Sequence, residues 1–351
     1  MRLNNRTPET DLHAENTVME QVLSFKSDYI PLADQIRGAV WGQFVGDAFC
    51  LGSHWIYDLG ELERRFPGGP QGFEAPGEGH YHVGKKPGDF THYGDGALLQ
   101  LRSLMRSGGF DAVDFGSRYV ALIESPGYTG YRDHSARETV INAQLFRQVH
   151  PGEAYGYQDG ADDDQLATAS RLAPVAARHF RDDDYLAVVA RATRVCQNNE
   201  RAVAYLAAHA LILRELFLGC DLASAFRTAA ELIPEQAYHG AEVAARITSA
   251  LSALHLSVRD ATLEFGQSCP LASSFPAAIH CAMRHGDDFS GAIRATAGAG
   301  GDSAGRAAMI GAWLGAALGL AAVPEGWRQR LASREEIVRH VEQLVLMVCG
   351  V

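Results

Sequence analysis

The sequence predicts an all-α protein, and three observations carry that expectation. Apolar residues recur at three- and four-residue steps in "YLAVVARATRVC", "RAVAYLAAHALILRELFLG" and "AEVAARITSALSALHL", the spacing that lines one face of a helix. Alternating strand patterns are rare, while alanine and leucine, both strong helix formers, are abundant. The breaks fall where helices should end: Gly108-Gly109, Pro151-Gly152, Gly219 and Pro324 each close a periodic stretch.

Bulk properties narrow the class. A chain of 351 residues, 47% of them hydrophobic, can bury a large core, and we expect a single helical domain over 13–351 behind a flexible tail over 1–12. A net charge of −11 with scattered acids argues against a nucleic-acid surface. The first residues lack an apolar segment, so a signal peptide is not expected. The longest apolar run, Met309 to Val323, is broken by glycines and falls short of the roughly 18 residues a membrane span requires. Six cysteines, far apart in sequence, are expected as free thiols in a reducing cytoplasm. Oligomeric state leaves no sequence signal.

Two helices carry an unusual glycine pattern. Gly38, Gly42 and Gly46 recur every fourth residue, as do Gly311, Gly315 and Gly319. Each trio lies on one helix face, forming a smooth groove into which another backbone can press. Glycine costs a helix about 1 kcal/mol per position relative to alanine, so close packing must compensate. One trio ends beside Asp47 and the other begins just after Asp302, so packing them together would bring those ends to one place.

Four segments combine polar residues with helical neighbours: "GDAFCLGSHWIYD", "DFTHYGDGALLQL", "GYTGYRDHSARETVIN" and "GAGGDSAGRAAMIGAWLGAALG". The second follows a long glycine- and proline-rich loop, Pro67 to Asp89, of the kind that is either functional or mobile, and enters a helix at about Asp95. Asp95 and Asp302 each follow a glycine and precede an apolar helix. Each reads as a helix cap, or the two converge into an anionic site for a divalent cation. His54 beside Trp55 reads as a packed ring or as a base. Arg306 suits an ion pair or an anion clamp, and Gln197 to Asn199 a polar network or a ligand pocket. Asp162 to Asp164 read as a solvated helix start.

The blocks "GAVWGQFVGDAF", a "GD" before a helix after the long loop, and "GGDSAGRAAMIGAWLGAALG" resemble the ADP-ribosylglycohydrolases in order and spacing, from about Ile36 to Leu320. The resemblance implies an orthogonal multi-helix bundle and hydrolysis of N- or O-glycosidic links of ADP-ribose at a two-magnesium site. The sequence departs from that pattern at the acids. A Thr-Asp-Asp-Thr motif is replaced by Tyr93-Gly94-Asp95-Gly96, a closing Gly-Asp-Thr-Asp-Thr by "GDSAG", and an acid expected after the first motif by His54. Similar replacements make the chain look closest to the branch that contains the J-crystallins and selenoprotein J.

Two magnesium ions need several carboxylates to offset their mutual repulsion, so at most one ion is expected, at Asp95 and Asp302, or none. The implied catalytic set is Asp95, Asp302 and His54, with one acid orienting water and one stabilising an oxocarbenium-like centre. Trp55, Tyr93, Asp133, Gln197, Ser303 and Arg306 are the implied substrate contacts. The implied substrate is a small ADP-ribose- or nucleoside-like molecule or an ADP-ribosylated target. The alternative is a crystallin-like protein that keeps the fold, and a nucleotide-sugar pocket, without turnover.

Overall fold

A computed structural model describes residues 30–350; the tail expected over 1–12 lies outside them. All regular structure among the described residues is helical, in sixteen α-helices and two short 3-10 turns. Helix α1 (Leu32–Cys50) is followed by α2 (Leu59–Arg65), the glycine- and proline-rich loop, α3 (His92–Ser107), α4 (Ala112–Glu124) and α5 (His134–Val149). A loop with one 3-10 turn leads to α6 (Ala173–His179), α7 (Tyr185–Arg194), α8 (Glu200–Phe217), α9 (Leu222–Gln236) and α10 (Gly240–Ser252). The chain closes with α11 (Val258–Phe265), α12 (Leu271–Arg284), α13 (Phe289–Gly298), α14 (Ser303–Leu318), α15 (Glu325–Arg328) and α16 (Arg334–Cys349).

Polar caps set many helix starts. Asp111, Asp133, Asn199, Asp221 and Asp302 each accept amide hydrogen bonds from the first turn that follows, satisfying donors that a helix end leaves orphaned. Two expectations are corrected here. Helix α3 starts at His92 under a Thr91 cap, not at about Asp95, because the Thr91 hydroxyl accepts the Tyr93 amide at 3.1 Å. No helix starts at Asp162 to Asp164. Asp163 is buried there, and its carboxylate accepts from the Gln165 amide and the Gln197 side chain, both at 2.9 Å.

Helices α1 and α14 form the centre, buried around nearly their whole circumference, as a helix apolar on all sides must be. They run antiparallel with their glycines face to face. A Cβ on Gly38 would strike the Gly315 carbonyl, one on Gly42 the Gly311 carbonyl, and one on Gly46 the Ala307 carbonyl. Five glycines thus permit the close backbone packing, while the sixth, Gly319, follows the end of α14 and closes on the Asp34 carboxylate, which a Cβ there would strike. The buried polar groups beside this pair act as tethers. Gln43 accepts the Ala173 amide at 2.9 Å at the start of α6, and Gln35 donates to the Leu216 carbonyl at 2.8 Å. The Trp313 indole donates to His209 at 2.8 Å, and burial pushes His209 down to about 3, so it stays neutral and accepts.

Asp47, at the far end of α1, ties that helix to α3. Its carboxylate accepts from the Thr91 amide at 2.9 Å and the Thr91 hydroxyl at 2.5 Å. Gly94 leaves room for it, since a Cβ there would strike the Asp47 carboxylate. Burial pushes Asp47 from an ordinary 3.8 up to about 6, against the pull of the two Thr91 hydrogen bonds.

Two outcomes are expected from this core. Gly42→Ala gains about 1 kcal/mol of helix propensity but forces two backbones apart, so chemical denaturation should show a net loss of about 1–3 kcal/mol; a stabilised variant would refute the interlock. The raised Asp47 favours the protonated folded state, so its contribution to stability is full below about pH 4 and lost as pH rises through about 6, a change on the order of 3 kcal/mol. The buried neutral histidines, His209 among them, act in the opposite direction over this range, so the check is a difference: in denaturation measured from pH 4 to 7, the stability of the native protein relative to Asp47→Asn should fall as pH passes through about 6.

Candidate functional site

Asp302 sits where the glycine interlock places it, at the start of α14. Gly300 and Gly301 precede it with φ of 73° and 65°, a left-handed double turn that aims the aspartate inward and that only glycine adopts readily. A Cβ on Gly301 would also strike the Gln267 carbonyl. Two backbone bonds, both 2.8 Å, stitch this turn to the segment after α1: the Trp55 amide to the Gly301 carbonyl, and the Gly301 amide to the Ile56 carbonyl. The stitch holds Trp55 itself at φ 62°, a conformation costing a bulky residue on the order of 1–3 kcal/mol and found mostly where function requires it.

The carboxylate of Asp302 is fully buried. One oxygen accepts from the Tyr93 hydroxyl at 2.8 Å and the Trp55 indole at 3.3 Å; the other accepts from the Gly305 amide at 3.2 Å. His54 Nδ1 lies 3.7 Å from that second oxygen while accepting the Ala304 amide at 3.4 Å. Burial, with the neighbouring histidines and Arg306, holds His54 well below its ordinary pKa, so the ring is neutral and its proton belongs on Nε2, which has no partner.

Asp95 belongs to a different set of partners. It lies in the first turn of α3, and one of its oxygens accepts from the Lys85 ammonium at 2.7 Å and the Tyr128 hydroxyl at 3.2 Å. Burial raises its pKa, and Lys85 opposes the rise.

The glycine- and proline-rich loop supplies the rest of the site, which the sequence reading missed. It brings His80, Tyr81, His82 and Lys85 over the ends of α1 and α3. His80 Nε2 pairs with the His54 carbonyl at 2.7 Å, His82 Nε2 with His92 Nδ1 at 3.2 Å, and His92 Nε2 lies 3.4 Å from the Asp133 carboxylate. Burial lowers His80 and His82. The Trp55 ring stacks on His54 at 4.3 Å and meets Tyr81 and Tyr131 edge-on, each at 5.0 Å. Trp55, Tyr57, Tyr81 and Tyr131 wall an open cavity of about 270 Å³, to which Asp133 and Arg137 contribute charge. The signal available in the sequence was the density of rings in "GHYHVGKK" and "GYTGYRDH".

Of the residues expected from sequence, His54, Trp55, Tyr93 and Asp302 touch one another, and Asp133 and Trp55 line the cavity. Three are placed elsewhere. Gln197 is fully buried, donating to Asp163 and the Gln165 carbonyl and accepting the Thr168 amide, so its amide is fully used in holding the 163–168 loop. Arg306, also fully buried, donates to the Gly300 and Gln267 carbonyls and the Thr296 hydroxyl. It clamps the glycine turn rather than a substrate, and burial lowers its pKa despite the nearby Asp302. Ser303 is closed into the core with an unpartnered hydroxyl.

The donor set does not fit magnesium. Among the described residues no three His, Cys, Asp or Glu side chains are arranged to hold a metal ion. Asp95 and Asp302 share no hydrogen-bond partner, and protein donors already take an oxygen of each. Magnesium demands about six oxygen ligands in near-octahedral geometry, which these two acids do not provide.

Comparison with known proteins agrees with the fold. The chain is 26% identical over 322 residues to crystallin J1A of Tripedalia cystophora and 23% identical over 323 residues to crystallin J1B of the same animal. Each alignment covers 90% of this chain and 97% of the relative. A solved structure titled "ADP-ribosylglycohydrolase-related protein complex" superposes with a TM-score of 0.68 at 22% identity, covering 90% of this chain and 99% of that one. The six cysteines are all free, and no described helix is long and apolar enough to cross a membrane. The family model for ADP-ribosylglycohydrolase matches residues 28–350, and with the all-helical bundle built on α1 and α14, the chain belongs to the ADP-ribosylglycohydrolase family.

Proposed function

We propose that the aromatic cavity binds the ribosyl or nucleoside-like part of an ADP-ribose-like substrate and that the protein hydrolyses its glycosidic bond. The observation that carries this reading is the Trp55–Asp302 contact: the indole that walls the cavity also holds a fully buried carboxylate at 3.3 Å. Aromatic walls suit the flat face of a base or a sugar ring, and a fixed anion behind them stabilises the positive charge that builds at the anomeric carbon.

Asp133 is the base in this reading. It lines the cavity, and the His92 ring 3.4 Å away, with the hydrogen bond from the Ala136 amide, holds its carboxyl below the usual range against the effect of burial. It is therefore ionised at neutral pH. Water bonds to the anomeric carbon and gives its proton to Asp133, while the glycosidic bond breaks and its electron pair departs with the leaving group. Arg137, at the mouth, suits an anionic group on the substrate.

A second reading, binding without turnover, is supported by the donors already seated on Asp95 and Asp302 and by the likeness to two crystallins. Thermal melts with ADP-ribose, ribose phosphates and nucleosides, combined with an assay for released ribosyl product, separate the two. A true ligand at a hundredfold excess over its dissociation constant stabilises by about 2.7 kcal/mol, and Trp55→Ala should abolish that shift. Asp133→Asn should keep the shift and lower turnover by about 10²–10⁴-fold; Asp302→Asn should lower turnover by about 10²–10³-fold. A shift without product in the native protein supports binding alone. No shift and no product with any of these ligands would sink both readings.

A further inference from the structure

We propose that the Lys85 ammonium is the protein's own fixed cation at Asp95 and keeps divalent metal ions away from that acid. This goes beyond the hydrolytic reading and does not depend on it, since it concerns which charge sits at Asp95 whether or not a bond is cleaved.

The geometry is that of a built contact. Lys85 Nζ lies 2.7 Å from Asp95 Oδ2, with only 11% of the lysine side chain and 22% of the aspartate side chain exposed. The Tyr128 hydroxyl donates to the same oxygen, and the chain folds in closely behind it: a Cβ on Gly130 would strike the Tyr128 hydroxyl and come within 2.8 Å of Asp95 Oδ2. A metal ion reaching this oxygen would have to displace one of the two donors.

The backbone that delivers Lys85 is anchored on both sides. The Lys85 amide bonds the His82 carbonyl at 3.2 Å, and the Lys86 amide bonds the Asp89 carboxylate at 2.7 Å. Gly84 and Gly88 turn the chain at φ 91° and 95°. Gly88 presses onto the Arg330 carbonyl, which a Cβ would strike, and its own carbonyl accepts the Ala332 amide at 3.0 Å. The loop therefore holds the ammonium in place ahead of any ligand.

The charge balance supplies the reason. Asp95 is close enough to raise the proton affinity of Asp47, burial raises that of both acids, and Lys85 counters the rise at both. An ammonium in contact with the carboxylate repels a dication seeking the same oxygen, most strongly where water is scarce. Removing the ammonium leaves the partly buried Asp95, with the buried Asp47 close by, without a contacting cation, an arrangement that attracts one.

Calorimetric titration and thermal melts of the full chain with MgCl₂ and MnCl₂ at constant ionic strength test this. The native protein should show no saturable binding and no melting shift at concentrations up to about 10 mM. Lys85→Met, which keeps the stem and loses the charge, should bind Mn²⁺ with a dissociation constant at least about tenfold below any native value and show the electron paramagnetic resonance spectrum of a bound ion. Lys85→Arg should remain insensitive. Saturable binding of either ion by the native protein overturns the proposal, as does a folded Lys85→Met that takes up no Mn²⁺. If Lys85→Met does not fold, Lys85→Met/Asp95→Asn decides: recovery of the native circular dichroism means that the lone acid was at fault and supports the pairing, whereas continued failure counts against it.

Discussion

The close approach of α1 and α14 is the constraint on which the rest of the molecule depends. Two backbones meet at Gly38–Gly315 and Gly42–Gly311 with no side chain between them. The last pairing, Gly46 against Ala307, falls one residue before Asp47 and five after Asp302. Both acids are therefore fixed by backbone geometry, which side-chain repacking cannot relax. Asp47 then captures Thr91 and sets the start of α3, and α3 carries Tyr93 toward Asp302 and Asp95 toward Lys85. A shift of one helical turn in the glycine register would misplace every later member of the site.

The site solves the problem of buried charge in two ways. Asp302 receives neutral donors from a phenol, an indole and a helix amide, a solution that disperses its charge without a contacting cation. Asp95 receives a full ammonium. Between them lie histidines whose rings burial keeps uncharged, His54 and His82 among them. Leaving a carboxylate buried without such partners would be costly, so the polar residues around the cavity explain one another. The folded scaffold is that of a hydrolase family, while the charge arrangement inside it belongs to this chain.

Much of the fold was legible because its causes are local. Helical periodicity, terminal glycines and the four-residue glycine steps each act within a few turns of chain, and each reappears in the structure. Asp302 could be read as a cap because glycines precede it and an apolar helix follows. Asp95 read as a cap or as part of a cation site because its immediate context resembles that of Asp302; the cap is Thr91, whose hydrogen bonds reach a residue 44 positions away. Gln197, Ser303 and Arg306 looked like site residues because polar groups in apolar surroundings call for partners. Their partners turned out to be groups of the fold itself, backbone carbonyls with the Asp163 carboxylate, the Thr168 amide and the Thr296 hydroxyl, or, for Ser303, none. The wall made by His80, Tyr81, His82 and Lys85 lay inside a loop whose path no periodicity describes.

The separation of α1 from α14 along the chain bears on how the protein is made. At a ribosomal rate of roughly 5–20 residues per second, about 250 residues must be added between the end of one helix and the start of the other. For some tens of seconds, the nascent chain carries the apolar α1 segment with nothing to cover its glycine face. Contacts so distant in sequence also form late during folding. The aromatic cavity, stitched by Trp55 to Gly301, comes into being only after almost the entire polypeptide has emerged, and shielding of that first helix in the interval falls to the cell.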